Sequence, residues 1–178
     1  MKRALGLLYG VLCYLFFFAA FLRAIWFVWK MDGLVPRFPL GMALVIDAVL
    51  LGLFAVQHSV MARQGFKRVW TRLVPQPVER STYVLAASAV LLAVVEFWQP
   101  MPQAIWSVGS QPWVMILQAL FWLGWLQVLI GTFLINHFDL FGLHQVWNYW
   151  RKVPYDPPKF ATPGRTGWCG IRSISVLS

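Results

Sequence analysis

Charge is scarce in this sequence, and acidic charge most of all: six Asp and Glu stand against fifteen Lys and Arg, and charged residues of both signs make up 12% of 178 positions. Soluble domains carry about a quarter charged residues, so a chain wetted on every side is excluded. Cysteine is nearly absent as well. Cys13 and Cys169 share no loop and no ligand-like spacing, which excludes a disulfide framework or a cysteine-built metal cluster. What fills the sequence instead is apolar: 60% of the residues are hydrophobic.

The apolar residues come in runs long enough to cross a bilayer, for which about 20 residues are needed. Four spans are expected, near residues 4–29, 39–61, 81–98 and 113–135, the second interrupted by Asp47 and the third closed by Glu96. The fold class this predicts is all-α, a multi-pass transmembrane helical bundle. Lys2 and Arg3 ahead of the first run resemble a signal peptide. The run is longer than a secretory core of about 7–15 residues and ends in Ile25-Trp26-Phe27 rather than small residues, so it reads as a retained anchor.

Basic residues set the expected orientation, because short cytoplasmic loops are enriched in Lys and Arg. Twelve of the fifteen fall before the first span, between Ala62 and Arg80, or after the fourth span; Arg23, Lys30 and Arg37 fall on the other side. Both termini are therefore expected in the cytoplasm, at a bacterial inner membrane. The net charge of +9 is accounted for by these juxtamembrane positions facing anionic lipid, so nucleic acid is not an expected partner.

Polar groups inside spans are costly and mark places to look for function. Asp47, midway along the second span, reads as a partner for Arg23 or as a helix-packing hydrogen bond. Gln57-His58-Ser59 closes the second span, and Asn136 to Trp147 follows the fourth; antiparallel alternation puts both at one membrane face. His137 and His144, seven apart, share one side of a helix if the helix continues. No companion ligands define a metal site. In the third connection, Pro75 and Pro77 predict an extended approach, with Ser81 or Thr82 capping the helix that follows. The proline-rich stretch from Val153 to Gly164 predicts a non-helical segment along the membrane surface.

Three stretches carry a family resemblance: Phe54 to Ser59, Pro75 to Tyr83, and Asn136 to Leu143, with Phe160-Ala161-Thr162-Pro163-Gly164 after them. Residues 1 to about 164 resemble the bacterial methanethiol S-methyltransferases of the nurim-like family, and more distantly the isoprenylcysteine carboxyl methyltransferases. The resemblance implies a membrane enzyme that moves a methyl group from S-adenosylmethionine to methanethiol, releasing dimethyl sulfide. A thiolate attacks far better than a thiol. His58 and His137 are thus the catalytic candidates, for promoting the thiolate or lining its pocket, and Arg80 the candidate for holding the cofactor carboxylate. The alternative is a non-catalytic membrane protein of the wider nurim or NnrU-like group. A small transporter subunit has only Asp47 in its favour.

One family feature is missing. The distant relatives build their cofactor site around an Arg-His-Pro-x-Tyr segment, whereas here Arg165 leads into a polar tail, 165–178, whose composition by itself suggests disorder. One permitted coding of Arg165 to Val176, read in the frame that begins one base before the Thr166 codon, gives Tyr-Arg-Leu-Val-Arg-His-Pro-Leu-Tyr-Leu-Gly. Restoring a single T lets Gly-Leu-Tyr-Arg follow Pro163. The expectation is a methyltransferase domain over 1–164 and an out-of-frame tail over 165–178, left by a one-base deletion that makes this chain inactive alone.

Overall fold

In the computed structural model, residues 2–31, 34–101 and 107–155 are described. They form seven helices and no strand: α1 Lys2–Trp29, α2 Leu40–Ala62, α3 Gln64–Trp70, α4 Gln76–Phe97, α5 Gln111–Leu134, α6 His137–Leu140 and α7 Leu143–Arg151. Helices α1, α2, α4 and α5 are each long and apolar enough to cross a membrane. The shortest, α4, has 22 residues, about 33 Å at 1.5 Å per residue. The chain is an integral membrane protein of the all-α class.

Helices α1 and α4 form the centre, with α2 against α4 and α7 against both. Small residues let the central pair approach closely, as they do between helices in lipid: Ala20 and Cys13 are buried on α1, and Ala24 and Phe27 pack on Val95 and Leu91 of α4 and on Trp98 just past it. Gly10 serves the same purpose for α7, since a Cβ there would lie 2.6 Å from a methyl of Val146. Helix α5 meets α1 through rings, with Phe21 against Trp125 and Trp29 against Phe121 and Trp122, all at 5.4 Å between centroids. The start of α1, the end of α2, the start of α4 and the end of α5 thus gather at one end of the bundle, beside α3, α6 and α7.

Several expectations need correction. The third span begins at Gln76, not at residue 81. Pro77 lies in the first turn of α4, where a missing N–H breaks no helical hydrogen bond, so the prolines start the helix instead of delaying it. Ser81 and Thr82 are inside α4 and not caps; Ser81 is fully buried. The Thr82 hydroxyl donates to the Val78 carbonyl (2.9 Å) and accepts from Tyr9 (3.0 Å). Arg23 does not meet Asp47: it pairs with Glu96 at 2.9 Å. The buried Asp47 carboxylate accepts the Gln99 backbone N–H at 2.8 Å, a packing bond at the end of α4. The expected tail over 165–178, with Cys169, and all of the proline-rich stretch beyond Tyr155 lie outside the described residues.

Candidate active site at one end of the bundle

The polar residues at this end are held by local backbone geometry. Asn136 (φ 84°) and Gly142 (φ 85°) both take the left-handed conformation, which ends one helix and starts the next on either side of the one-turn α6. The helix therefore does not continue from His137 to His144, and the two imidazoles point to different partners. Asp139 is buried; one of its oxygens accepts from Asn136 Nδ2 and the other from His144 Nδ1 at 3.0 Å. Arg80, one turn into α4, reaches across and donates from Nε to the Leu140 carbonyl at 3.1 Å. A cation at the last carbonyls of a helix is a favoured arrangement.

His137 sits behind this corner with both ring nitrogens committed. The Thr132 hydroxyl proton goes to the Leu129 carbonyl (2.7 Å), so His137 Nδ1–H donates to Thr132 Oγ1 (2.9 Å) and Nε2 accepts from the Tyr14 hydroxyl (2.8 Å). The ring stacks on Phe133 at 4.3 Å and meets Phe141 edge-on at 4.8 Å. Phe141 in turn stacks on Phe17 of α1 at 4.0 Å. His58 lies elsewhere, at the end of α2, with the Tyr83 hydroxyl 3.1 Å from Nδ1 and 3.3 Å from Nε2. The two candidate histidines occupy the same end of the bundle, but among the described residues they share no hydrogen bond or ring contact.

Arg80 lines two of the clefts that open here. The first, of about 370 Å³, runs between α1, α2 and α4, walled by Phe17, Phe54, Val84, Ala87, Leu91 and Phe141, with His58, Lys67, Arg80 and Tyr83 among its lining. Among the described residues, no carboxylate lines it. The second, of about 420 Å³, is polar, with Gln76, Glu79, Arg80, Gln145, Tyr149 and Tyr155 around it. Gln145 spends its amide hydrogens on the Tyr155 hydroxyl (2.9 Å) and the Asp139 carbonyl (3.2 Å), and its buried Oε1 has no partner among the described residues. Burial, and then the Asp139 carboxylate, push the Tyr155 phenol above its ordinary range, so it stays protonated.

Over 162 residues, 87% of its length, the chain is 56% identical to the methanethiol S-methyltransferase of Mycobacterium tuberculosis, covering 66% of that protein. It is 47% identical over 170 residues to the protein of the same name from Crocosphaera subtropica, 92% of this chain and 66% of that one. The chain belongs to the family of these proteins. It spans just under two thirds of the length of these two relatives. A more distant similarity, 30% identity over 128 residues, 68% of this chain and 44% of the other, links it to Nurim of Danio rerio. No protein-family model matches the chain, and no solved structure does.

Of the three residues that the sequence named as candidates, the structure puts His58 and Arg80 on cleft walls, while His137 supports the wall from behind. Lys67, Tyr83 and Phe141 of the apolar cleft, and Gln145 of the polar one, were missed. Tyr83 had a legible signal, because Arg80, Tyr83, Val84, Ala87 and Leu91 recur at spacings of three and four and so share one face of α4. Tyr14, a hydroxyl inside an otherwise apolar run, was the corresponding signal for His137.

The His137 arrangement has a pH signature. Burial lowers its pKa from the ordinary 6.5, so as pH falls through about 6.5 the unfolded chain takes up a proton before the folded one does, and stability falls with pH over that window. Unfolding midpoints measured in detergent from about pH 7.5 to 5 should drop, and His137→Gln should flatten part of that slope. Identical pH profiles for the two proteins would mean that His137 is not held neutral by its surroundings.

Proposed function

We propose that this chain carries the thiol site, and one wall of the methyl-donor site, of an S-adenosylmethionine-dependent methyltransferase that converts methanethiol to dimethyl sulfide. The observation that carries the proposal is Arg80 as the common wall of an apolar cleft and a polar one, since methyl transfer needs an apolar thiol and a charged donor side by side. Most catalysis of such a displacement is positioning, so two adjoining clefts are the essential equipment.

The residues present suit the donor. Glu79 offers a carboxylate to an ammonium group, Arg80 a guanidinium to a carboxylate, and the unpartnered Gln145 Oε1 an acceptor to a hydroxyl or amine. Bound there, S-adenosylmethionine supplies an electrophilic sulfonium methyl. In the apolar cleft His58 accepts the thiol proton, with Tyr83 holding its ring, while Lys67 and Arg80 stabilise the thiolate. His137 acts through Phe141, keeping that ring in the cleft wall, and is a positioning residue. In this reading both termini are cytoplasmic, and methanethiol and membrane lipid are the molecules the chain meets.

The shifted reading after Pro163 completes the proposal: the Arg-His-Pro-x-Tyr segment it restores supplies further donor contacts. Headspace dimethyl sulfide from cells given methanethiol tests both parts. The chain with one T restored should produce it, and the chain as written should not. Equal rates from the two would overturn the frame argument. Silence from both would overturn the methyltransferase reading in favour of the non-catalytic alternative.

A further inference from the structure

The apolar cleft is much larger than methanethiol requires. At the roughly 30 Å³ that a small group such as water occupies in a liquid, the two heavy atoms of methanethiol fill about 60 Å³, against a cleft of about 370 Å³. Its length fits the same conclusion. Arg80 and Leu91, eleven residues apart on α4, both line it, which spans about 16 Å along the helix axis. The basic groups lie toward Arg80, and among the described residues the far part offers no free donor: the Ser88 hydroxyl is turned back onto the Val84 carbonyl at 2.8 Å. Its walls are spanning helices, so the far part lies at hydrocarbon depth.

A cleft with cations at one end, no carboxylate among the described residues of its lining and an apolar far end at bilayer depth is shaped for an anion with an alkyl tail. We infer that it takes medium-chain alkyl thiols from the lipid phase, sulfur at His58, Lys67 and Arg80 and tail toward Leu91, and that the small side chain of Ala87 sets how long a tail fits. This rests on the methyltransferase reading for the reacting group, but its test needs no turnover. Hexane-1-sulfonate carries an unreactive anionic sulfur head on a six-carbon tail, and methanesulfonate carries the same head on one carbon.

The experiment is protection of a reporter cysteine in the chain as written, with Cys13→Ala and Cys169→Ser removing the native thiols. Ala87→Cys should react with N-ethylmaleimide in vesicles. Hexane-1-sulfonate should slow that reaction at least tenfold, whereas methanesulfonate at the same concentration should leave it unchanged. Lys67→Gln should weaken the protection. Leu117→Cys on α5, away from the cleft, should show none, which separates binding from a general effect on the membrane. Equal protection by the two sulfonates, equal protection at both cysteines, or an Ala87→Cys that does not react without ligand while Val84→Cys is equally inert, each overturns the inference. Protection by the hexyl probe in a protein that never yields dimethyl sulfide would keep the cleft assignment and remove the methyltransferase reading. Dimethyl sulfide production without chain-length-dependent protection would do the reverse.

Discussion

Arg80→Ala is expected to lower kcat/KM for methanethiol about 10²–10³-fold in the frame-restored chain, the scale at which removal of one preorganised charged donor is felt. The reason is its double placement. One guanidinium lines the apolar cleft and the polar cleft together, so its loss is felt on the thiolate side and the donor side at once. Its Nε also holds the Leu140 carbonyl, so part of the effect will be misplacement of α6. Arg80→Lys separates the contributions, because it keeps a point charge and loses the planar fork; it should recover some activity and little of the α6 contact. Activity is read from dimethyl sulfide formation and structure from the unfolding midpoint. If Arg80→Ala keeps full activity, the shared-wall proposal is wrong.

The largest effect on stability is expected at Gly142, where Gly142→Ala should cost about 3–5 kcal/mol, the range of the severe substitutions with a named mechanism. Two causes combine. The residue sits at φ 85°, and a Cβ there would lie 2.7 Å from Ser81 Oγ and 2.8 Å from the Ser81 backbone nitrogen. The left-handed conformation alone costs an ordinary L-residue roughly 1–2 kcal/mol. The remainder comes from pushing the α6–α7 corner off the backbone of α4, which cannot yield as a flexible side chain would. Gly142→Asn tolerates the left-handed region better but carries the same Cβ, so it should recover only the conformational part. A fall in the thermal midpoint in detergent that is the same for both variants would assign the whole cost to the collision. A midpoint unchanged by Gly142→Ala would show that the corner does not pack as closely as described.

The four spans were legible because length and hydropathy suffice to mark them, and their bounds came within a few residues except at the start of α4. There the error has a physical source: Pro75 and Pro77 read as breakers, but a proline in the first helical turn removes an N–H that had no intrahelical partner. The one-turn helix α6 and its break at Gly142 were not legible, since a glycine seven residues past the end of an apolar run marks a turn without fixing its direction. Pairings inside the membrane were equally hidden. Asp47 and Arg23 are opposite charges in neighbouring spans, and only their placement shows that Arg23 finds Glu96 while Asp47 accepts the Gln99 N–H just past the end of α4. At the proposed site, His58 and Arg80 were named from the family resemblance, and the structure puts both on the wall of one cleft. His137 was named too, but its surroundings were hidden, because Tyr14 and Thr132, which occupy its two nitrogens, belong to spans read only as apolar.

Helix α5 has no buried residue along its length and is joined to α1 by rings, yet the residues just beyond it are tied to α1 and α4 by the Tyr14–His137 and Arg80–Leu140 bonds. In lipid, spans insert separately and pack afterwards, and such a distribution of contacts imposes an order on that packing. The α1, α2 and α4 trio has its own small-residue and apolar contacts and can settle first. The corner after α5 then latches onto it, and α5 is drawn in as a tethered latecomer, leaving one flank of the bundle the last to be sealed from lipid.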